Sequence, residues 1–326
     1  MPSHSEQTVL VGKLHLPVQH PNLLDGLANA ESVSPPVRAA VSNRHPCFGG
    51  AAVHTRKGRI HLPVAPHCNI GCLFCTRGIH AHRQRPGTAG RLLRPDEAVP
   101  AVKRALELCP DISVVGVAGP GDALASEHAI EALRHVHQHF PELIKCISTN
   151  GLLLPERADD LWAAGVRSVT VTVNAVDPTR LVELCPRIVW NGQVLKGLDA
   201  ARRLVEQQIT GIRRLNSLGA VIKVNTVLVP GVNDEHIKAI VDTMAQAGAH
   251  VGNVIPLIPN GRFKLHSPPT QEQLEAARGV AESRLAVNRT CRQCRADACG
   301  VPGSGKDFAR DVFGEDVVNG DSFSHG

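Results

Sequence analysis

From Arg59 onward, six short apolar runs rich in Val and Ile alternate with longer amphipathic stretches. The runs are RIHLPV (59–64), ISVVGVA (112–118), LIKCIST (143–149), VRSVTVTVN (166–174), AVIKVNTVLV (220–229) and HVGNVIPLI (250–258). Helical patterns separate them near 95–108, 126–139, 155–164, 197–218 and 234–247. Several carry start signals: Asp96 after Pro95, Ser126 with Glu127, and Asn233–Asp234 after a Pro-Gly turn. Strands joined by helices of this length pair in parallel, because a tight hairpin cannot accommodate the connection. The Val and Ile content suits strands covered on both faces. A doubly wound sheet and a partial barrel both satisfy this order, and the alternation alone does not choose.

A chain of 326 residues, 43% hydrophobic, buries a large core, in one large α/β domain or two smaller ones. Residues 1–44 are polar with scattered prolines and read as a flexible arm with a short helical turn at 22–31. After Pro259 the pattern gives a Gly- and Pro-containing loop, a helix around 270–286, the segment TCRQCRADACG (290–300), and a Gly- and Asp-rich tail expected to be mobile. No apolar run approaches a membrane span, and no basic-then-apolar leader opens the sequence, so a cytoplasmic location is expected. The net charge of +5, two Trp and no Tyr speak against a nucleic-acid surface, whereas a basic cleft would suit an anionic cofactor. Ten cysteines in such a chain read as metal or catalytic ligands rather than disulfides.

Three of those cysteines crowd into PVAPHCNIGCLFCTRG (63–78), spaced C-x3-C-x2-C with Phe74 before the last. Zinc commonly takes four ligands as two separated pairs. Three thiolates on a four-iron cluster instead leave one iron open to a substrate or cofactor. The loop follows the first expected strand, which in a barrel is the mouth where chemistry collects. The motif looks like the cluster motif of the radical S-adenosylmethionine (SAM) superfamily. That resemblance implies Cys68, Cys72 and Cys75 as ligands of a [4Fe-4S] cluster, with SAM on the fourth iron through its amino and carboxylate groups. It also implies the α/β fold of that superfamily, a partial (β/α)6 TIM-type barrel.

Other strand ends fit the resemblance. VVGVAGPGDALA (114–125) holds Gly119, Gly121 and Asp122 where the superfamily contacts the SAM amino group. Ser148, Asn150, Asn174, Lys223 and Asn225 cap apolar runs as ribose and carboxylate contacts would. With HPCF (45–48), NVIPLIP (253–259) and CRQCRADA (291–298), residues 44–300 resemble the radical SAM domain of the NifB family of nitrogenase cofactor biosynthesis proteins. The resemblance implies two auxiliary iron–sulfur clusters, which the enzyme fuses while inserting a SAM-derived carbide. A methyl group first reaches a cluster sulfide, and a 5′-deoxyadenosyl radical from a second SAM then abstracts hydrogen from it. Implied partners are a cluster donor, a small electron donor, and carrier or scaffold proteins that take the product; a monomer is expected.

Carried over by position, the auxiliary ligands are Cys47, His54, Cys291 and Cys294. Three departures stand out. His80 replaces a further Cys of the family, Arg83 replaces an acidic residue, and Cys299 replaces an apolar one. His80 and Cys299 remain candidate ligands, and Cys299 would extend the pair to C-x2-C-x4-C, leaving open whether one or two auxiliary clusters are held. Cys109, Cys146 and Cys185 read as core residues. The expected organisation is an arm (1–44), a barrel with an N-terminal cluster segment (45–265), a C-terminal helix and cluster segment (266–300) and a tail (301–326). The departures leave a second reading, a NifB-like radical SAM enzyme with an altered auxiliary cluster and another substrate.

Overall fold

The computed structural model describes residues 33–80 and 82–314. The helical turn expected at 22–31 lies outside them. Two helices, α1 (Pro35–Arg44) and α2 (Ala51–His54), precede β1 (Gly58–His61), and two short strands, β2 (Gly78–Ile79) and β3 (Thr88–Ala89), brace the long loop after it. The alternation then proceeds through α3 (Ala98–Leu108), β4 (Ile112–Val117), α4 (His128–His139), β5 (Ile144–Thr149), α5 (Leu154–Ala163) and β6 (Val166–Thr172). Next come α6 (Pro178–Leu184), a hairpin of β7 (Arg187–Trp190) and β8 (Gln193–Lys196), and α7 (Gly197–Leu218). The chain continues as β9 (Val221–Leu228), α8 (Ile237–Ala247), β10 (Val251–Pro256), α9 (Gln271–Glu282), β11 (Ala286–Val287), β12 (Cys299–Gly300) and α10 (Ala309–Phe313).

Local sequence explains these elements. All six residues of β4 are buried, as befits a strand covered on both faces. Ala98, Ala101, Val102 and Ala105 form the buried stripe of α3 at helical spacing. Gly219 and Gly248 stop α7 and α8 in the left-handed conformation that glycine tolerates. Pro178 begins α6, and the Asp177 carboxylate accepts from the Thr179 amide.

Sheet order settles the architecture. The large sheet runs β11-β10-β9-β6-β5-β4-β1-β12, so the parallel strands neighbour one another in chain order. A doubly wound sheet would reverse that order at a switch point. Successive right-handed crossovers in one direction place the helices on one face and curl the sheet around the other. Its two edges stay apart. The fold is thus an α/β partial TIM-type barrel. β12 pairs antiparallel with β1, with Arg59 opposite Gly300 and Ile60 opposite Cys299.

Two segments are more ordered than their composition suggests. Val33 and Val41, from the end of the expected arm, join Phe48 in an apolar cluster with Val114, Ile144, Val221 and Val251. These are early strand residues, so the arm's described part plugs the N-terminal end of the barrel. The expected mobile tail is also packed through Gly314: Phe308 donates its amide to Cys299 (2.9 Å), Arg91 donates to the Phe313 carbonyl (3.2 Å), and Phe313 is buried. Among the described residues, no helix is long and apolar enough to cross a membrane.

Candidate active site

A cavity of about 310 Å³ opens inside the barrel, lined by strand residues from Arg59 and His61 round to Asn253 and Ile255. The loop after β1 forms one wall and carries Cys68, Cys72 and Cys75 into it. Backbone bonds fix that loop on both sides. Gly121 donates to Ala65 O and Asp122 to His67 O, each at 2.7 Å. Across from these, Val189 donates to Asn69 O (2.7 Å), Gly71 to Arg187 O and Leu73 to Leu184 O (both 2.8 Å). A Cβ on Gly121 would lie 1.9 Å from His67 O, so glycine is required for the two loops to meet. Gly121, expected beside SAM, thus packs its backbone against the cysteine loop and also lines the cavity.

Asp122 is buried, and its carboxylate accepts from Leu124 N (2.9 Å), Thr149 Oγ1 (3.0 Å) and Asn150 N (2.5 Å). Burial pushes its pKa up, opposed by those bonds and by Arg77. Asn150 in turn donates to Asn69 Oδ1 (2.7 Å), with Cys68 Sγ 3.8 Å away. The ends of β4 and β5 are therefore clamped onto the cysteine loop.

Burial pushes the Cys68 thiol up to about 12 and raises Cys75. Cys72 is raised first by a hydrogen bond with the Cys185 thiol and then by burial. Arg77 opposes the rise at all three. Burial alone would lower the Arg77 pKa, but the three thiols and Asp122 raise it. A buried guanidinium facing three sulfurs favours them as thiolates, the form that binds metal. Among the described residues, no three His, Cys, Asp or Glu side chains converge on one ion-sized point.

A second group of donors lines the same cavity: Cys47, Cys146, Cys291, Cys294, His45, His54 and His61. Burial lifts the Cys47 thiol to about 12, with Lys223 opposing and Cys294 and Cys291 adding to the rise. His54 Nδ1 lies 2.8 Å from Pro46 O, which assigns its proton there and leaves Nε2 buried without a partner. Metal-ligating histidines are commonly fixed in this way. Lys223 Nζ donates to Cys47 O (3.2 Å) and sits 4.5 Å over the Phe48 ring. The donor set thus fits iron–sulfur ligation beyond the triad.

Of the residues singled out from sequence, the cavity wall also includes Gly121, Asp122, Ser148, Asn150, Lys223 and Asn225. Four others lie elsewhere. Gly119, at φ +135°, packs against Ala296. Asn174 is buried between strands, where its Oδ1 accepts from Val227 N (2.9 Å) and its carbonyl from Asn233 Nδ2 (2.9 Å). His80 extends the β2–β3 pairing through its amide to Ala89 O (2.8 Å), and its carbonyl accepts from Arg295 (2.8 Å). Cys299 is fully buried in the main apolar core, on the Ile60 side of the β1–β12 pair. Arg59, its neighbour in that register, faces the cavity, so strand parity turns the Cys299 thiol away.

Arg59, His61, Arg77 and Cys146 were missed as wall residues. Parity held the clue for Cys146: Ser148 was expected to face inward, and a residue two earlier on a strand faces the same way. Arg295 and Asp297 form a buried bidentate pair at 2.8 Å, and Asp297 also accepts from Gly90 N (2.6 Å). That pair ties the Cys291–Cys294 segment to the loop after the triad.

The comparisons agree with this geometry. Residues 62–244 match the model of the radical SAM superfamily. The chain is 42% identical to the FeMo cofactor biosynthesis protein NifB of Methanocaldococcus infernus, over 79% of this chain and 85% of that protein. It is 36% identical to the NifB of Klebsiella pneumoniae, over 84% of this chain but 60% of that longer protein. The fold resembles the crystal structure of Streptococcus suis SuiB bound to S-adenosylmethionine, with a TM-score of 0.50 at 14% identity, over 72% of this chain and 50% of that one. The chain belongs to the radical SAM superfamily and, within it, to the NifB family of FeMo cofactor biosynthesis proteins.

Proposed function

We propose that this radical SAM enzyme fuses two [4Fe-4S] clusters and inserts a SAM-derived carbide to make the nitrogenase cofactor precursor. One observation carries the reading: a triad of thiols and a second group of thiols and imidazoles line the same cavity. Cys68, Cys72 and Cys75 would hold the SAM-binding cluster, and Cys47, His54, Cys291 and Cys294 the auxiliary one, with Cys146 and His61 as further donors. When bound, the cluster and SAM supply a transferable methyl group and a hydrogen-abstracting radical. The protein's own part is to position, to charge-balance and to dry the site. Arg77 faces the triad, Arg59 and Lys223 face the second group, and the apolar plug of Val41 and Phe48 closes the barrel floor against water. A cluster donor, a small electron donor and product carriers are the partners this chemistry calls for.

The family departures support a second reading, a radical SAM enzyme with an altered auxiliary site and another substrate. Here His80 and Arg83 replace a thiol and a carboxylate, and both of their carbonyls accept from Arg295 at 2.8 Å. Anaerobic reconstitution separates the two. The maturase should bind more iron than one four-iron cluster accounts for, and should release both 5′-deoxyadenosine and S-adenosylhomocysteine from SAM under dithionite. 5′-Deoxyadenosine alone, with clusters loaded, favours the second reading.

A further inference from the structure

Arg59 is a buried arginine with no carboxylate counter-ion among the ion pairs of the described residues. It lies on β1, is 6% exposed, and lines the cavity. One terminal nitrogen donates to the Gly300 carbonyl at 2.6 Å. The other donates to Cys294 Sγ at 3.2 Å. The Nε–H is buried and has no partner. Both the charge and the open donor call for an anion. A guanidinium keeps its charge throughout the physiological range, and burying it without a counter-charge is costly. The groups nearest to answer it are sulfurs, Cys294 directly and Cys47 close enough to be felt electrostatically; the Asp307 carboxylate adds a smaller contribution without forming an ion pair among the described residues.

We infer that Arg59 is a positioning residue for the auxiliary cluster, donating one hydrogen bond to the Cys294 thiolate and offering Nε–H to a sulfur of the cluster itself. The inference rests on the auxiliary-cluster reading above. Its physical content is that a charged donor on a ligand sulfur withdraws electron density from iron and stabilises the reduced cluster, raising its potential. The fold aims the donor. Arg59 is held opposite Gly300 by the β1–β12 register, so the strand carrying the guanidinium is pinned to the segment that follows Cys294. Lysine would keep the charge but not the fork, because a single ammonium cannot reach a carbonyl and a sulfur in the same geometry.

The test uses the full chain carrying alanines at Cys68, Cys72 and Cys75, so that any iron left is auxiliary. Iron content and an EPR-monitored redox titration are then compared for this background, Arg59→Gln and Arg59→Lys. The expected result is auxiliary iron in all three, with the potential moved negative in Arg59→Gln and, by a smaller amount, in Arg59→Lys. Should Arg59→Gln fail to fold by circular dichroism, Arg59→Lys carries the comparison. An unmoved potential with iron retained overturns the role of Arg59 and leaves the auxiliary cluster standing. A shift in Arg59→Gln with none in Arg59→Lys overturns the sulfur hydrogen bond in favour of charge alone. No iron in the background chain overturns the auxiliary reading, and this inference with it.

Discussion

A hydrogen bond with the Cys185 side chain raises the Cys72 thiol, because the cysteine loop runs antiparallel to β7 and the residues just before it, with Ile70 opposite Ile188. This contact outranks burial in raising the Cys72 pKa. Replacing Cys185 by Ala should therefore lower that pKa in the metal-free chain. Alkylation of Cys72 at pH 8, followed by peptide mass spectrometry, should run severalfold faster, since each pKa unit is about tenfold in thiolate. Iron content after reconstitution should not change, as Cys185 is outside the cavity wall.

Gly121→Ala should destabilise the chain by on the order of 3 kcal/mol or more, the range of backbone clashes that cannot relax. The added methyl would meet a backbone carbonyl, His67 O, and not a movable side chain. Urea unfolding reads the loss. The triad's iron should fall with it, because the same contact positions Cys68.

Iron retention also separates the cysteines and histidines by place. Cys299→Ala should keep its iron and cost about 1 kcal/mol, as a modest truncation in a packed core does. His80→Ala should keep its iron as well. Cys294→Ala should lose auxiliary iron while SAM still perturbs the EPR signal of the triad cluster.

Acid should weaken the fold through buried histidines. Burial, followed by Arg59, pushes His61 from 6.5 down to about 4, and burial lowers His45 as well. Below 6.5 the unfolded chain takes up these protons and the folded chain does not. Stability is therefore complete above 6.5 and is lost as pH falls toward 4. The urea midpoint of the metal-free chain should drop between pH 7 and pH 4.5, and His61→Gln should flatten part of that slope.

Long strands and helices were legible because their burial is periodic: α7 spans 197–218, as its stripe of apolar residues foretold. The β7–β8 hairpin was not read, although Asn191 (φ 50°) and Gly192 (φ 74°) supply the two positive angles its turn needs. Its strands are only half covered, so their pattern lacks a clear period. The spacing of Cys68, Cys72 and Cys75 marked them as a group, and the structure brings all three to one cavity wall. In the second donor group, Cys47, His54, Cys291 and Cys294 were named only through the family resemblance and His45, His61 and Cys146 not at all, because these residues meet through long-range packing. Cys299 misled for the converse reason: nearness along the chain to Cys294 says nothing of which face a strand presents.

The last strand of the sheet sits beside the first, 241 residues away along the chain. During synthesis, β1 therefore waits for its outer neighbour until Gly300 has left the ribosome. Cys291 and Cys294 join the chamber only at that stage. The chamber's ring of donors is therefore complete only once segments 241 residues apart have met, and until then the cysteine triad borders an open sheet edge.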